Sequence, residues 1–291
     1  MFLGNPTDRT DCSGRVSCRR AVSLIILVLT SCLKNPPAPA DAGLERLTIA
    51  GSTAMLPLVT EAANLFMLRQ PNVAVAVEPG GSGLGISRTL SGEVAIGMSD
   101  VFADATVASQ LEDHKVAITG FSAMANRGSF NEQVNSLSME QLKGIFTGSI
   151  KNWAEVGGQQ KAIAVINRKK GSGTRTTFGR IVLGGDNFVA GPEEDSSALV
   201  LTLLEQTPGA ISYLGLAYQR ESVKSLAVAN IAATNENVAN GTYPIWSYEH
   251  LFTRGPAKGA AKTFISFILS PEVQSKLLVK NGFTPIGNVR R

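Results

Sequence analysis

The sequence predicts an α/β fold, and three observations carry that prediction. Short apolar runs of strand length alternate with amphipathic helical patterns over most of the chain. Three of those runs lead straight into loops rich in Gly, Ser or Thr. What remains of the 291 residues after an N-terminal leader is ample for a large core in one or two domains.

Leu47-Thr48-Ile49-Ala50 reads as the first strand, and Gly51-Ser52-Thr53 leads into a helix over Ala54 to Leu68. Val73 to Val77 is the next strand, followed by Gly80-Gly81-Ser82-Gly83 and a helix over Ile86 to Leu90. Val94 to Met98 is a third, ending at Ser99-Asp100. Ligands of open α/β sheets sit beyond the carboxyl ends of the strands, so these three loops are expected to converge. From about Arg127 a second α/β block follows. It has helices over Ser138 to Lys143 and Ser197 to Gln206, and strands over Ala162 to Ile166 and Gly209 to Tyr213. Lys258 to Leu269 and Pro271 to Lys280 read as two closing helices. The blocks meet at two expected hinges, around Phe121–Asn126 and Tyr243–Phe252.

The amino terminus speaks to location. Arg19-Arg20 precede an apolar run from Ala21 to Leu29, far short of the ~20 residues that span a bilayer. A charged stretch, a short apolar stretch and small residues describe an export signal over 1–31. Leu29-Thr30-Ser31-Cys32 is similar to the lipobox of bacterial lipoproteins, in which the cysteine is acylated and becomes the first mature residue. A start at Val16 would give a more typical signal than the long leader from Met1. Residues 32–43, with Pro36, Pro37 and Pro39, read as a tether. Cys12, Cys18 and Cys32 are the only cysteines, so no disulfide and no cysteine metal site is expected in the folded part. Without residues 1–31, Lys+Arg falls from 27 to 23 and Asp+Glu from 23 to 21, a balance that gives no reason to expect nucleic acid.

Chemistry concentrates in Arg168-Lys169-Lys170-Gly171-Ser172-Gly173-Thr174-Arg175. A strand precedes it and Thr176 to Leu183 reads as a helix, so Ser172 and Thr174 fall near a helix start. Unpaired N–H groups and the positive dipole end there suit an anion, and glycine lets the backbone approach it. The same residues also fit an ordinary hydroxyl N-cap beside a solvated basic patch.

Taken in order, several motifs resemble the phosphate-binding proteins of bacterial ABC phosphate importers, of the periplasmic binding protein superfamily, type II. They are Ala50-Gly51-Ser52-Thr53-Ala54, Gly80-Gly81-Ser82-Gly83, Gly97-Met98-Ser99-Asp100, Ile145 to Trp153, Arg168 to Arg175 and Pro208 to Tyr213. The resemblance covers nearly all of residues 45 to 288. It implies two lobes, each a mixed sheet flanked by helices, joined by two crossover hinge segments. Lobe I would take 44–123 plus 247–291, and lobe II 124–246. It also implies phosphate held between them by Ser52, Thr53, the Met55 backbone, Ser82 and Asp100 from one side, and by Arg168, Ser172, Gly173 and Thr174 from the other. The hydroxyls and backbone N–H groups are donors, and Arg168 adds a charge-assisted bond. Asp100 can only accept, so it suits the proton that phosphate retains near neutral pH and repels fully deprotonated sulfate. Arsenate keeps a proton as phosphate does.

The family often carries an acid just after the arginine, where this chain has Lys169-Lys170. Phe146, Trp153 and Tyr213 are expected to pack the second lobe, and Arg175 either cross-links the site or decorates the helix. No cofactor or metal is expected. His114 and His250 fit no catalytic triad, and neither a G-x-S-x-G elbow nor a nucleotide phosphate loop is present, which disfavours an enzyme. The resemblance therefore implies a monomeric, exported, lipid-anchored binding protein whose partners are phosphate and ABC permease subunits with a cytoplasmic ATPase. A phosphate or other oxyanion sensor uncoupled from transport is the alternative.

Overall fold

A computed structural model describes residues 43–288; the leader, Cys32 and most of the tether lie outside the described residues. In chain order the elements begin β1 (Glu45–Gly51), α1 (Leu56–Arg69), β2 (Val73–Pro79), α2 (Ser82–Ser91), β3 (Ile96–Ser99) and α3 (Ala105–Ala108). The long β4 (Leu111–Asn126) follows, then β5 (Ser136–Leu137), α4 (Met139–Thr147), β6 (Ala164–Val165), β7 (Asn167–Arg168) and α5 (Gly173–Phe178). Next come β8 (Glu193–Glu194), α6 (Ser197–Gln206), β9 (Ala210–Gly215), β10 (Val223–Val228) and α7 (Asn235–Ala239). The chain closes with β11 (Trp246–Arg254), α8 (Gly259–Ile268) and α9 (Leu278–Lys280).

Local chemistry sets the helix ends. Pro57 sits in the first turn of α1, where its missing N–H is not needed. Ser138 and Gln141 form a capping box that starts α4, and Gly148 closes it in the left-handed region. Ser172 caps α5, which runs on through a wider helical turn over Gly179–Leu183.

The main sheet is mixed, with strand order β2-β1-β3-β11-β4-β10-β5, and β9 bridges β4 to β6. β1 runs parallel to β2 and β3, so Gly51 stands level with Pro79 on one side and Met98 on the other. The loops after these three strands therefore leave from one edge, as the sequence predicts. The segment expected as a strand over Ala162 to Ile166 is shorter, since only Ala164 and Val165 pair with β9.

The first expected hinge, Phe121–Asn126, lies within β4, and the second, Tyr243–Phe252, begins ahead of β11 and runs into it. β4 pairs with β11 over Leu111–Gly120, then with β9 from Phe121. Its Val116 and Ala117 enter one hydrophobic core, while Phe121 and Ala123 enter the other. On the return, Tyr243 and Ile245 belong to the second core and Leu251 to the first. The chain thus crosses between cores twice. The cores are not cut cleanly by sequence: Val200, Leu204 and Leu214 pack with the first.

Candidate anion site

Beyond β1, Gly51 adopts φ +137°, and a side chain there would strike the Met98 backbone. This turn delivers Ser52 and Thr53 to the sheet edge. Ser82 opens α2 behind Gly81, and Asp100 follows the last residue of β3. From the second block, β7 ends at Arg168 and the loop after it lies against α2, with Gly83 N donating to Gly171 O at 3.0 Å.

These residues form one buried network. The Ser52 hydroxyl donates to Asp100 Oδ1, and Thr174 Oγ1 donates to Oδ2 at 2.8 Å. Ser82 Oγ accepts from the Asp100 backbone N–H at 3.0 Å. Arg168 Nη2 donates to Thr53 Oγ1 at 2.9 Å and to the Asp195 carbonyl at 3.1 Å, while Nη1 donates to Ser197 Oγ at 3.1 Å. The guanidinium is 1 % exposed, and its Nε is a buried donor without a hydrogen-bond partner among the described residues. Burial pulls Arg168 below the usual arginine range, and Asp100 is the foremost group opposing that shift. A cation, an acceptor-only carboxylate and a set of hydroxyls thus share one dry place. That set can match every oxygen of a partly protonated oxyanion.

Eight of the nine residues expected at the site meet there. Ser172 spends its hydroxyl on the cap, accepting from Arg175 N at 3.2 Å, which leaves its backbone neighbours Gly173 and Thr174 at the front. A side chain on Gly173 would lie 3.0 Å from Asp100 Cβ and press on Ser82, so only glycine lets this turn close on the site. Met55 is buried at the cap of α1, in the same loop as Ser52 and Thr53, but enters none of these bonds among the described residues.

The structure also brings in residues that the sequence did not single out. Ser197 Oγ lies 3.2 Å from Thr53 Oγ1, and its backbone N–H donates to the same atom. Its only signal was a pair of serines at a helix start. Tyr213 packs as expected, stacked on Phe178 at 4.4 Å, but its hydroxyl also accepts from Arg168 N at 3.2 Å. Tyr218 donates to the Thr53 carbonyl at 2.6 Å. Arg175 cross-links the site: it bonds the Arg168 carbonyl at 2.5 Å, Asp186 at 2.6 Å and Glu193 at 2.9 Å.

Lys169 and Lys170 are exposed, and each stands near an acid from another segment, Asp195 at 3.4 Å and Asp186 at 3.9 Å. Such solvated pairs contribute little to stability. Trp153 is buried and donates to the Gly209 carbonyl, and Phe146 packs edge-on against Phe178, both away from the network. Among the described residues no group of His, Cys, Asp and Glu is placed to hold a metal.

The arrangement is that of an extracytoplasmic solute-binding protein, and the chain belongs to the PBP superfamily, whose domain model matches residues 36–272. Within that class it is similar to the phosphate-binding protein PstS of Bacillus subtilis (strain 168), at 42% identity over 248 residues, 84% of this chain and 82% of that one. A solved Clostridium perfringens protein with bound phosphate, described as a phosphate ABC transporter substrate-binding protein, superposes with a TM-score of 0.78 at 30% identity. That match covers 83% of this chain and all of the other. An ABC-type phosphate transport receptor from Vibrio cholerae gives 0.67 at 28% identity, covering 83% of this chain and 100% of that one. The chain accordingly has the type II periplasmic-binding-protein fold, a mixed sheet flanked by helices.

Proposed function

We propose that this protein captures inorganic phosphate at the Asp100–Arg168 network and delivers it to an ABC permease. The observation that carries the reading is the meeting of Arg168 and Asp100 in one buried site. A site for any anion would need the cation alone; a carboxylate beside it selects an anion that still bears a proton. The PstS relative and the phosphate-bound neighbour support the same ligand. Micromolar binding corresponds to about 8 kcal/mol. Hydrogen bonds to charged groups contribute roughly 1.5–3 kcal/mol each, so four or five surviving as net gain suffice.

In this reading the hydroxyls of Ser52 and Thr174, which donate to Asp100 in the structure, turn to the anion alongside those of Thr53, Ser82 and Ser172, and Met55, Gly173 and Thr174 donate backbone N–H groups. Lobe I comprises 44–123 plus 247–291, and lobe II comprises 124–246. The protein is exported by a signal over 1–31, anchored through lipid on Cys32, held off the membrane by the tether over 32–43, and monomeric. No helix among the described residues is long and apolar enough to cross a membrane. Isothermal titration of ligand-stripped protein with phosphate, sulfate and arsenate tests the function. Phosphate is expected to bind and sulfate to give no comparable heat; sulfate binding as tightly as phosphate, or no phosphate binding, overturns it.

A further inference from the structure

Glu249 lies on β11 and takes no part in the reading above. Its residue is 0 % exposed, and among the described residues neither carboxyl oxygen has a hydrogen-bond partner. Its position is tied to the site by the sheet. β11 runs antiparallel to β3 as far as the pair His250–Ser99, and Glu249 and Asp100 are the next residues beyond that pair, at a bulge in β11 between Glu249 and His250. The Glu249 and Asp100 side chains come within hydrogen-bonding reach of each other. Two residues earlier on the same strand, Ser247 Oγ donates to the Asp100 carbonyl at 2.6 Å, an independent tie between β11 and Asp100. On the other flank Glu249 stands opposite Ala117 of β4, which brings no charge.

A buried carboxylate with no cation and no donor takes up a proton rather than bear the cost of its charge. Burial first, and then the charge of Asp100, push the Glu249 carboxyl well above the usual carboxylate range. The surroundings of the two acids differ. Asp100 accepts from the Ser52 and Thr174 hydroxyls and faces the charge of Arg168. Glu249 has none of these. The charge belongs on Asp100 and the proton on Glu249.

We propose that Glu249 is a positioning residue for the anion site: a neutral carboxylic acid that donates its O–H to the Asp100 carboxylate and keeps it an acceptor turned to the ligand. The inference rests on the phosphate reading of that site. With the proton on Glu249 the pair carries one negative charge, which Arg168 balances. A proton on Asp100 instead would turn the acceptor into a donor and remove the partner that a P–OH group needs. A second ionised carboxylate would repel phosphate outright.

Infrared spectroscopy of the protein at neutral pH is the test, on samples labelled with ¹³C-glutamate or ¹³C-aspartate. A carbonyl band of a protonated carboxylic acid is expected to shift with the glutamate label alone, to vanish in Glu249→Gln, and to move when phosphate is added. Calorimetry on the same samples reads the function. Glu249→Leu is expected to weaken phosphate binding about tenfold or more, the size of one hydrogen bond to a charged group. Glu249→Gln, whose amide can still donate, restores most of that loss. Absence of a glutamate-labelled acid band in the wild type overturns the inference even if the leucine variant fails to fold. Equal phosphate affinity in Glu249→Leu and wild type overturns it too. A protein that shows the band yet binds no phosphate sinks the functional reading while the proton on Glu249 stands.

Discussion

Asp100 and Arg168 carry opposite charges into a space where neither reaches bulk water, 2 % and 1 % exposed respectively. Each is held by hydroxyls that come from both halves of the chain: Asp100 by Ser52 and Thr174, Arg168 by Thr53 and Ser197. Selectivity is a property of the carboxylate. Asp100→Asn converts one acceptor oxygen into a donor, which serves sulfate and deprives a P–OH of its partner. The expected outcome is a phosphate/sulfate preference narrowed by about tenfold or more, read by competition calorimetry. Unchanged selectivity would remove Asp100 from this role. Arg168, by contrast, supplies affinity, and its guanidinium is oriented by Thr53, Ser197 and the Asp195 carbonyl rather than by an acid next to it in sequence.

The loop after β7 and the start of α5 form the element on which the two halves close. Gly171 O accepts from Gly83 N, and Gly173 passes so near Asp100 that no side chain fits between them. Gly173→Ala is therefore expected to weaken phosphate binding and to cost about 1–3 kcal/mol of stability, as overpacking does. Thermal melts with and without phosphate check this, and a variant matching the wild type in both would refute the close approach.

Elements of this kind were legible in the sequence because their signals are local. Ser52, Ser82 and Asp100 each sit at a strand end, and Ser172 announces a helix start. Helix α6 was read to the residue, since Ser196 caps it and the apolar period runs through it. β4 was not read as a strand, because Val116 to Asn126 is apolar on both faces and shows no alternation to mark it. Ser197, Tyr213 and Glu249 escaped as site residues for a different reason. They reach the site through sheet pairing and packing from distant segments, which no local pattern records.

At the scale of the whole molecule, three of the four tyrosines are buried as neutral phenols. Burial pushes Tyr213 and Tyr218 up to about 12, and Tyr243 also upward. A phenol whose folded value exceeds its unfolded value of about 10 adds stability that is complete below about pH 10 and lost as pH rises through the folded value. Stability should hold up to about pH 10 and fall between there and about pH 12, with tyrosinate absorbance appearing together with the loss of folded signal. Absorbance from these three rings near pH 10 in a still-folded protein would contradict their burial. A last consequence follows from β4, which changes partner at Gly120 from β11 to β9 within one unbroken strand. At this crossing the two cores share one hydrogen-bonded ribbon, so any movement of one against the other has to bend β4. In hydrogen–deuterium exchange the amides of β4 should stay protected on both sides of Gly120 while the loop at Lys170-Gly171 exchanges freely.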